Sequence, residues 1–592
     1  MHPANLYRQR IQYYEAEQKK YQRKFANFGL LRLALFLSLV VVTILLWQFD
    51  VLFSLGFLFA SLIGFGKVVT WHEKLNERAQ HMRKLIVINQ QEDNALRYEL
   101  DWNPTGSEYL PEYHPYASDL DIFGAASLFQ YTNRASTLIG RNKLADWLLT
   151  AASNDSIHRR QEAVAEIASS VDFRQELQAL AIGLTETSTH REDLLTWLRS
   201  STYLIDNPMR RTMRWIVLFI TLPACLALIY FGLINIGWVP LLLPGYFLWK
   251  SKEPIDQIHR QTEHASQTLA IYARLFNHLE AQNWEAQSLK SMARRWVDYK
   301  NRPSKWISNL SFAIAQLNVR SNFFAIFFNL FGLWDFHWVY RLEKIKVKIQ
   351  DELDDWFDIL ATTEALCSLA NLSFNNPEWA IPALSQIHLN ATELGHPLIS
   401  PDRRVCNDLA ISQRSDLKLI TGSNMAGKST FLRTVGVNLV LAGAGGPVCA
   451  SSFEWKPVGI FTSMRTVDAL NENASTFYAE LSRLKTMLDM VKEQDCLVLL
   501  DEILKGTNSG DRHKGSEALI KQLIGWQAIG LIATHDLALT HLEKQFPCRI
   551  ENWYFDVSIR DDELVFDYQV KRGICQSFNA TLLMRKMGIE ID

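Results

Sequence analysis

The sequence predicts an α/β domain with a parallel sheet at the C-terminus, preceded by an all-α core domain with transmembrane helical hairpins. Three observations predict this. Long apolar runs, nearly free of charge, lie at about 28–70 and 215–249, each bracketed by basic residues. Between about 121 and 211, and again at 258–296 and 342–372, apolar residues recur at helical spacing. Beyond residue 381, short apolar strand candidates alternate with loops and helical stretches, the pattern of a parallel sheet with crossover helices.

The chain has 592 residues, enough for several domains. Its formal net charge of −2 excludes a global basic field that would gather nucleic acid, though a local basic surface would suffice. Seven scattered cysteines form no CxxC pair, which argues against zinc and disulfide frameworks and fits a reducing, cytosolic setting.

Residues 1–85 read as an amphipathic N-terminal helix followed by a first transmembrane hairpin, with limbs at about 28–48 and 49–70. Each limb approaches the ~20 apolar residues that cross hydrocarbon. Lys19, Lys20, Arg23, Lys24 and Arg32 precede the pair, and Lys67, Lys74 and Arg78 follow it. Around 215–249 a second hairpin is expected, with Arg210, Arg211 and Arg214 before it and Lys250 and Lys252 after it; its return limb is short for a span. The turns inside both pairs carry no Lys or Arg, so the positive-inside rule puts both termini and the C-terminal α/β domain on the cytoplasmic side of a multi-pass protein with about four spans. The run 323–338, broken by Asn329, Asp335 and His337, reads as an interfacial or core helix. Residues 86–120, with Pro104, Pro111 and Pro115, read as a linker. The helical core domain is expected over 121–380 and the α/β domain over 381–592.

Three motifs carry the chemistry. Residues 422–430, Gly422-Ser423-Asn424-Met425-Ala426-Gly427-Lys428-Ser429-Thr430, match GxxxxGK[ST] between a strand candidate and a helix. Glycines there let backbone N–H groups curl around a phosphate at a helix N-terminus. Lys428 would reach the β- and γ-phosphates of ATP, and the Ser429 hydroxyl would bind Mg²⁺. Roughly seventy residues later an apolar strand ends in Asp501-Glu502, where Asp501 would hold Mg²⁺ and Glu502 would orient or deprotonate the attacking water. His535, at the end of the following strand candidate, is placed to sense the γ-phosphate.

These motifs, in this order, resemble the ABC-type ATPase class, and their surroundings resemble the MutS family of DNA mismatch-repair ATPases. TGSNMAGKST (421–430) is similar to that family's TGPNMGGKST, with Ser423 for Pro and Ala426 for Gly. DEILKGT (501–507) is similar to DEIGRGT, departing at Leu504 and Lys505. The stretch 474–480 resembles the STFMxE segment, which implies that Ser475 and Thr476 of one chain reach nucleotide held by the other in a homodimer. His396-Pro397-Leu398 and Cys406-Asn407-Asp408 resemble the lead-in to the ATPase domain, which makes Asn407 a nucleotide contact. Arg404 stands near the family's adenine-stacking aromatic, and a guanidinium can also stack. Residues 127–149 and 160–166 resemble the start of the family's core domain, and 351–372 its last core helix.

Nothing resembles the family's mismatch-reading or connector domains, and the second hairpin sits near its DNA clamp. The resemblance implies an ATP hydrolase acting on duplex or mismatched DNA in mismatch repair. The missing parts leave room for an ATPase serving an unidentified membrane partner. A transporter is disfavoured by the few spans and the MutS-like signature; a scaffold without turnover is disfavoured by intact Lys428, Asp501, Glu502 and His535.

Overall fold

A computed structural model describes residues 2–184, 188–297, 302–322, 325–412, 416–423, 425–465, 476–560 and 563–575. Two 45-residue helices, α1 (Pro3–Trp47) and α2 (Val51–Ala95), form an antiparallel hairpin. The turn between them is set by Asp50, which caps α2 by accepting from the Phe53 N–H at 2.9 Å. At 1.5 Å rise per residue each helix is about 68 Å long, roughly twice the hydrocarbon thickness of a bilayer.

The two halves of the hairpin behave differently. Its distal half exposes Leu33, Phe36, Val41 and Leu45 on α1 and Leu52, Phe53, Phe59 and Leu62 on α2. Its proximal half is bolted to the helical core by polar contacts. Tyr7 is fully buried and donates to Asn375 at 2.7 Å; Arg10 pairs with Asp172 at 2.6 Å and His81 with Glu176 at 2.9 Å. Deeper still, Glu92 on α2 pairs with Arg134 at 2.5 Å, both buried, and also accepts from Asn371 and Asn375.

The helical core comprises α3 (Leu128–Thr132), α4 (Leu138–Leu149), α5 (Asn154–Ser169), α6 (Val171–Ala181), α7 (Ser188–Arg199), α8 (Pro208–Tyr230), α9 (Leu242–Lys250), α10 (Lys252–Thr262), α11 (Ala265–Glu280), α12 (Gln287–Val297), α13 (Pro303–Leu317), α14 (Ala325–Gly332), α15 (Trp334–Ile349) and α16 (Leu353–Asn375). The long α16 is its spine, packing against α4 and α5 and burying most of one flank from Leu353 to Leu372. On α16, Glu364 receives the backbone N–H groups of Ser136 and Thr137 and the Thr137 hydroxyl, tying the start of α4 to the spine.

Two sequence expectations are corrected here. Residues 86–120 are not a free linker: α2 runs through Ala95, and Leu100, Tyr116, Ala117 and Leu120 are core residues. The apolar content of this stretch outweighs its prolines, which shape turns within a packed strap. The second hairpin also differs. Its outgoing limb is α8, but the return limb breaks into two 3₁₀ turns (Ile234–Ile236 and Val239–Leu241) before the nine-residue α9. Gly232, Pro240 and Pro244 interrupt the helix, and about 14 Å of α9 cannot cross a bilayer. Among the described residues two helices, α1 and α2, are long and apolar enough to cross a membrane, and the expected four spans are not supported. In the 323–338 stretch, Phe323 lies outside the described residues; α14 exposes Ile326, Phe327 and Phe328, while α15 buries Phe336 and Val339.

The C-terminal part holds two sheets. Strands β1 (Ala383–Leu384), β2 (Leu389–Leu394), β3 (Asn407–Ile411) and β5 (Ser452–Trp455) form the smaller, in the order β1-β5-β2-β3. The larger contains β4 (Leu417–Thr421), β6 (Gly459–Ser463), β7 (Cys496–Asp501), β8 (Ile529–Ala533), β9 (Ile550–Arg560) and β10 (Glu563–Arg572), ordered β10-β9-β4-β8-β7-β6. All its pairings are parallel except β9–β10. Strands β4 and β8 are buried throughout, as expected of strands covered on both faces. One face carries α17 (Lys428–Ala444), which also packs against α4 and α5. The other carries α18 (Thr476–Glu493), α19 (Ser509–Gly525) and α20 (Leu542–Gln545).

The 96–123 strap joins the two parts. Buried Asp119 accepts from the Thr462 hydroxyl, the Met464 and Arg465 N–H groups and Arg483. Asp121 pairs with Arg433 of α17 at 3.1 Å and with Arg465 at 2.6 Å. Gly436 makes room for the strap: a Cβ there would stand 2.6 Å from Leu120 Cδ2.

Candidate nucleotide-phosphate site

Strand β4 ends at Thr421 and α17 begins at Lys428, so the loop between them must turn within six residues. Left-handed backbone at Met425 (φ 67°) and Gly427 (φ 104°) makes that turn. Only glycine adopts the latter freely, and a Cβ at Gly427 would also press on the Tyr568 ring at 3.1 Å. The loop borders a cavity of about 710 Å³, sized for a nucleotide.

Met425, Ala426, Gly427, Lys428, Ser429 and Thr430 line this cavity, together with Glu502 and His535. Gly422 and Ser423 form the first turn below it and offer their carbonyls to the Lys428 amine, each at 2.9 Å. Asn424 lies outside the described residues, as does Ser475; α18 begins at Thr476, whose side chain is likewise not described.

Glu502 and His535 meet because β7 and β8 are adjacent and in register, Asp501 opposite Ala533. His535 Nε2 stands 2.8 Å from Glu502 Oε1 and 3.2 Å from Lys428 Nζ. Nε2 cannot donate to the one and accept from the other at once. The hydrogen bond from His535 holds the Glu502 carboxyl down at about 2, so Glu502 is an anion and Nε2 carries the proton. The Lys428 contact is then a close approach and not a hydrogen bond. Burial lowers the Lys428 pKa, and the Asp501 and Glu502 carboxylates oppose that shift.

Asp501 ends β7 next to Glu502 but is not among the described residues that line the cavity. Among the described residues no cluster of three His, Cys, Asp or Glu side chains would hold a metal alone. Mg²⁺ does not need one, because it keeps waters and substrate phosphate oxygens as ligands. One hydroxyl from Ser429 and one carboxylate from Asp501, on the two elements that meet at the cavity, fit such a site.

The signature helix is tied to the acidic strand end. Glu480 on α18 accepts from the backbone N–H groups of Leu504 at 2.5 Å, Lys505 at 3.2 Å and Gly506 at 3.4 Å. Gly506 lets α18 approach, since a Cβ there would lie 2.9 Å from Phe477 Cβ.

The far wall differs from the sequence expectation. Arg404 does not face the cavity: it donates to the Ile399 carbonyl and the Tyr98 hydroxyl and lies over Trp379. Its neighbour Arg403, in the turn whose N–H groups at 403 and 404 both donate to the Ser400 carbonyl, lines the cavity instead. Asn407 lines it too, yet its amide is engaged with backbone, donating to the Tyr568 carbonyl at 3.0 Å and accepting from Val570 N–H at 2.8 Å. That pair clamps the bulge between Phe566 and Val570, on which Tyr568 stands at the cavity edge. His396, pushed down to about 4 chiefly by burial, completes the wall as a neutral imidazole. Sequence reasoning missed Tyr568 and Arg403; β9–β10 carries no local motif that points back to the phosphate loop.

Residues 418–585 match the family model described as MutS domain V. MutS protein homolog 4 of Mus musculus is 31% identical over 194 residues, 31% of this chain and 20% of that protein. The DNA mismatch repair protein MutS of Thermotoga neapolitana is 32% identical over 256 residues, 42% of this chain and 31% of that protein. The chain thus spans between a fifth and a third of the length of these relatives.

Proposed function

Because the chain belongs to the MutS family through its C-terminal domain, we propose that it is a Mg²⁺-dependent ATP hydrolase that turns nucleotide turnover into motion of its helical core. The observation that carries this is the convergence of Lys428, Glu502 and His535 on one cavity beside the phosphate loop. The loop N–H groups and Lys428 bind and orient the triphosphate, with Ser429 and Asp501 as the Mg²⁺ ligands. Bound Mg²⁺ supplies charge neutralisation on the phosphate oxygens. Glu502 takes the proton from water, and His535 holds Glu502 until the γ-phosphate draws it away. Tyr568, His396 and Arg403 form the wall for the base, with Asn407 fixing Tyr568.

Turnover takes place in a homodimer in which Ser475 and Thr476 of the second copy complete the site. Glu480 links that helix to the loop following Glu502, so closing the dimer and aligning the base are one motion. The strap residues Asp119 and Asp121, held by Arg483, Arg433 and Arg465, carry that motion to α2.

The chain is anchored in a lipid bilayer by the distal α1–α2 hairpin, with the ATPase domain cytoplasmic. The exposed apolar flanks of both helices support this. Duplex or mismatched DNA is the first candidate for what the core acts on, since the bacterial relative is a DNA mismatch repair protein by name. The membrane hairpin favours a second reading, in which the core acts on a membrane partner.

The test is Mg²⁺-ATP hydrolysis by the full chain in detergent, with Lys428→Ala as control, alone and with perfect or single-mismatch duplex at a stated salt concentration. Turnover absent from both proteins refutes the enzyme. Turnover that changes with mismatched duplex supports the DNA reading, and turnover that ignores DNA supports the membrane partner.

A further inference from the structure

We infer that a second cavity, between α13 and α15, binds the phosphate headgroup of an anionic phospholipid. This rests on the membrane-anchored reading above. The cavity holds about 520 Å³ and is lined by Trp306, Trp338, Tyr340, Arg341, Lys344 and Lys348, among others. Among the described residues no carboxylate lines it. The acid nearest in sequence, Glu343, is turned into the core, where it accepts from the Tyr203, Leu204 and Ile205 N–H groups. Lys346 is likewise turned inward, donating to the Trp197 and Ser200 carbonyls. Helical spacing thus sorts α15: one flank buries its paired charges, and the other gathers cations around an open cavity.

Two of those cations are already held over rings, Arg341 at 5.4 Å from Trp338 and Lys348 at 5.2 Å from Trp306. Among the described residues the Trp306 indole N–H is buried without a hydrogen-bond partner. A phosphate in the cavity would neutralise the three cations together.

The surroundings decide between sources of phosphate. The Trp338 ring meets both Phe312 and Trp334, Trp334 meets Phe328, and His337 meets Trp215 edge-on at 5.3 Å. Phe312, Phe328 and Trp215 are each about half exposed, and with Ile326 and Phe327 they make an apolar apron around the cavity mouth. A soluble phosphate compound needs no such apron, and a nucleic-acid duplex would meet unfavourable apolar surface. Acyl chains fit it, with the headgroup in the basic cavity and the interfacial tryptophans at headgroup depth.

The experiment titrates the full chain in non-ionic detergent with phosphatidylglycerol or phosphatidylcholine and counts bound lipid by native mass spectrometry. We expect phosphatidylglycerol to be retained about tenfold more tightly, and the Lys344→Ala/Lys348→Ala double variant to lose that preference. The Lys344→Arg/Lys348→Arg variant keeps it, and unaltered ATP turnover in both shows that they fold. An equal preference in the Ala variant overturns the inference. So does release of the lipid by inorganic phosphate, which would assign the cavity to a soluble ligand, or by duplex DNA, which would assign it to nucleic acid. Carbonate extraction of cell membranes separates the two readings. If the chain is released, both fall; if it stays in the pellet while the lipid preference is absent, only the headgroup site falls.

Discussion

Replacing Glu502 by Gln isolates the proton-accepting step. The carboxylate is held 2.8 Å from His535 Nε2, with Lys505 Nζ at 3.7 Å, and its pKa of about 2 keeps it ionised at neutral pH. The amide has the same shape, and its oxygen still accepts from His535, so the cavity wall should not move. What is lost is the site for the proton of the attacking water. General-base catalysis contributes about 10²–10⁴ in rate, equivalent to about 3–5 kcal/mol in the barrier. We expect kcat for ATP to fall by about that factor. Affinity for Mg²⁺-ATP should hold or tighten, since a negative charge beside the triphosphate is removed. Phosphate release under steady state and ATP retention on filters, at one Mg²⁺ and salt concentration, measure the two quantities. Turnover within about threefold of the unaltered protein, with normal binding, would refute Glu502 as the base against the expected loss. Loss of binding and turnover together would mean that Glu502 supports the loop and not the chemistry.

Three further outcomes follow from particular contacts. His535→Ala removes the hydrogen bond that depresses the Glu502 pKa, which then rises toward the ordinary carboxylate value of about 4.3. The active form is the anion, present above the pKa and lost as pH falls through it, so turnover of the variant should decline below about pH 5 while Glu502 imposes no such decline on the unaltered protein; parallel profiles between pH 4 and 7 would contradict this. Arg134→Met leaves Glu92 buried with only the Asn371 and Asn375 amides, a loss of about 3–5 kcal/mol, read from denaturant unfolding in detergent; a change under about 1 kcal/mol would mean that water reaches the pair. Asn407→Ala frees the Tyr568 bulge, and the lost hydrogen bonds, about 1 kcal/mol each, should raise KM for ATP several-fold with kcat nearly unchanged; a fall in kcat alone would count against a positioning role.

The parts legible in sequence are those whose chemistry is local. A phosphate loop needs its glycines and lysine at one spacing, because backbone N–H groups must curl around an anion within a single turn. Walker-type strands announce themselves as apolar runs ending in acid, because they are buried on both faces and open only at the carboxyl edge. The apolar halves of α1 and α2 are visible too, because nearly every side chain along them is apolar whichever way it faces. The Glu502–His535 meeting was foreseeable because neighbouring parallel strands end at the same level.

What sequence reasoning misplaced depended on direction or on distant partners. Arg404 and Arg403 differ by one position, and only the backbone path settles which guanidinium faces the cavity. The prolines of 86–120 suggested a linker, yet the strap is held by Asp119 and Asp121 to side chains more than 300 positions away. Apolar content suggested a return span after α8, but glycine and proline break that limb into turns.

By itself, then, the sequence determined the phosphate loop, the acidic strand end, the apolar hairpin and the family resemblance, each encoded by neighbours within about one element. The tertiary structure decided which side chains share a cavity: Tyr568 brought to Gly427 by the β9–β10 hairpin, Glu480 brought to the 504–506 backbone, and Trp306 of α13 brought to Lys348 of α15. Such pairings depend on the path of the chain between elements, and no local periodicity records that path.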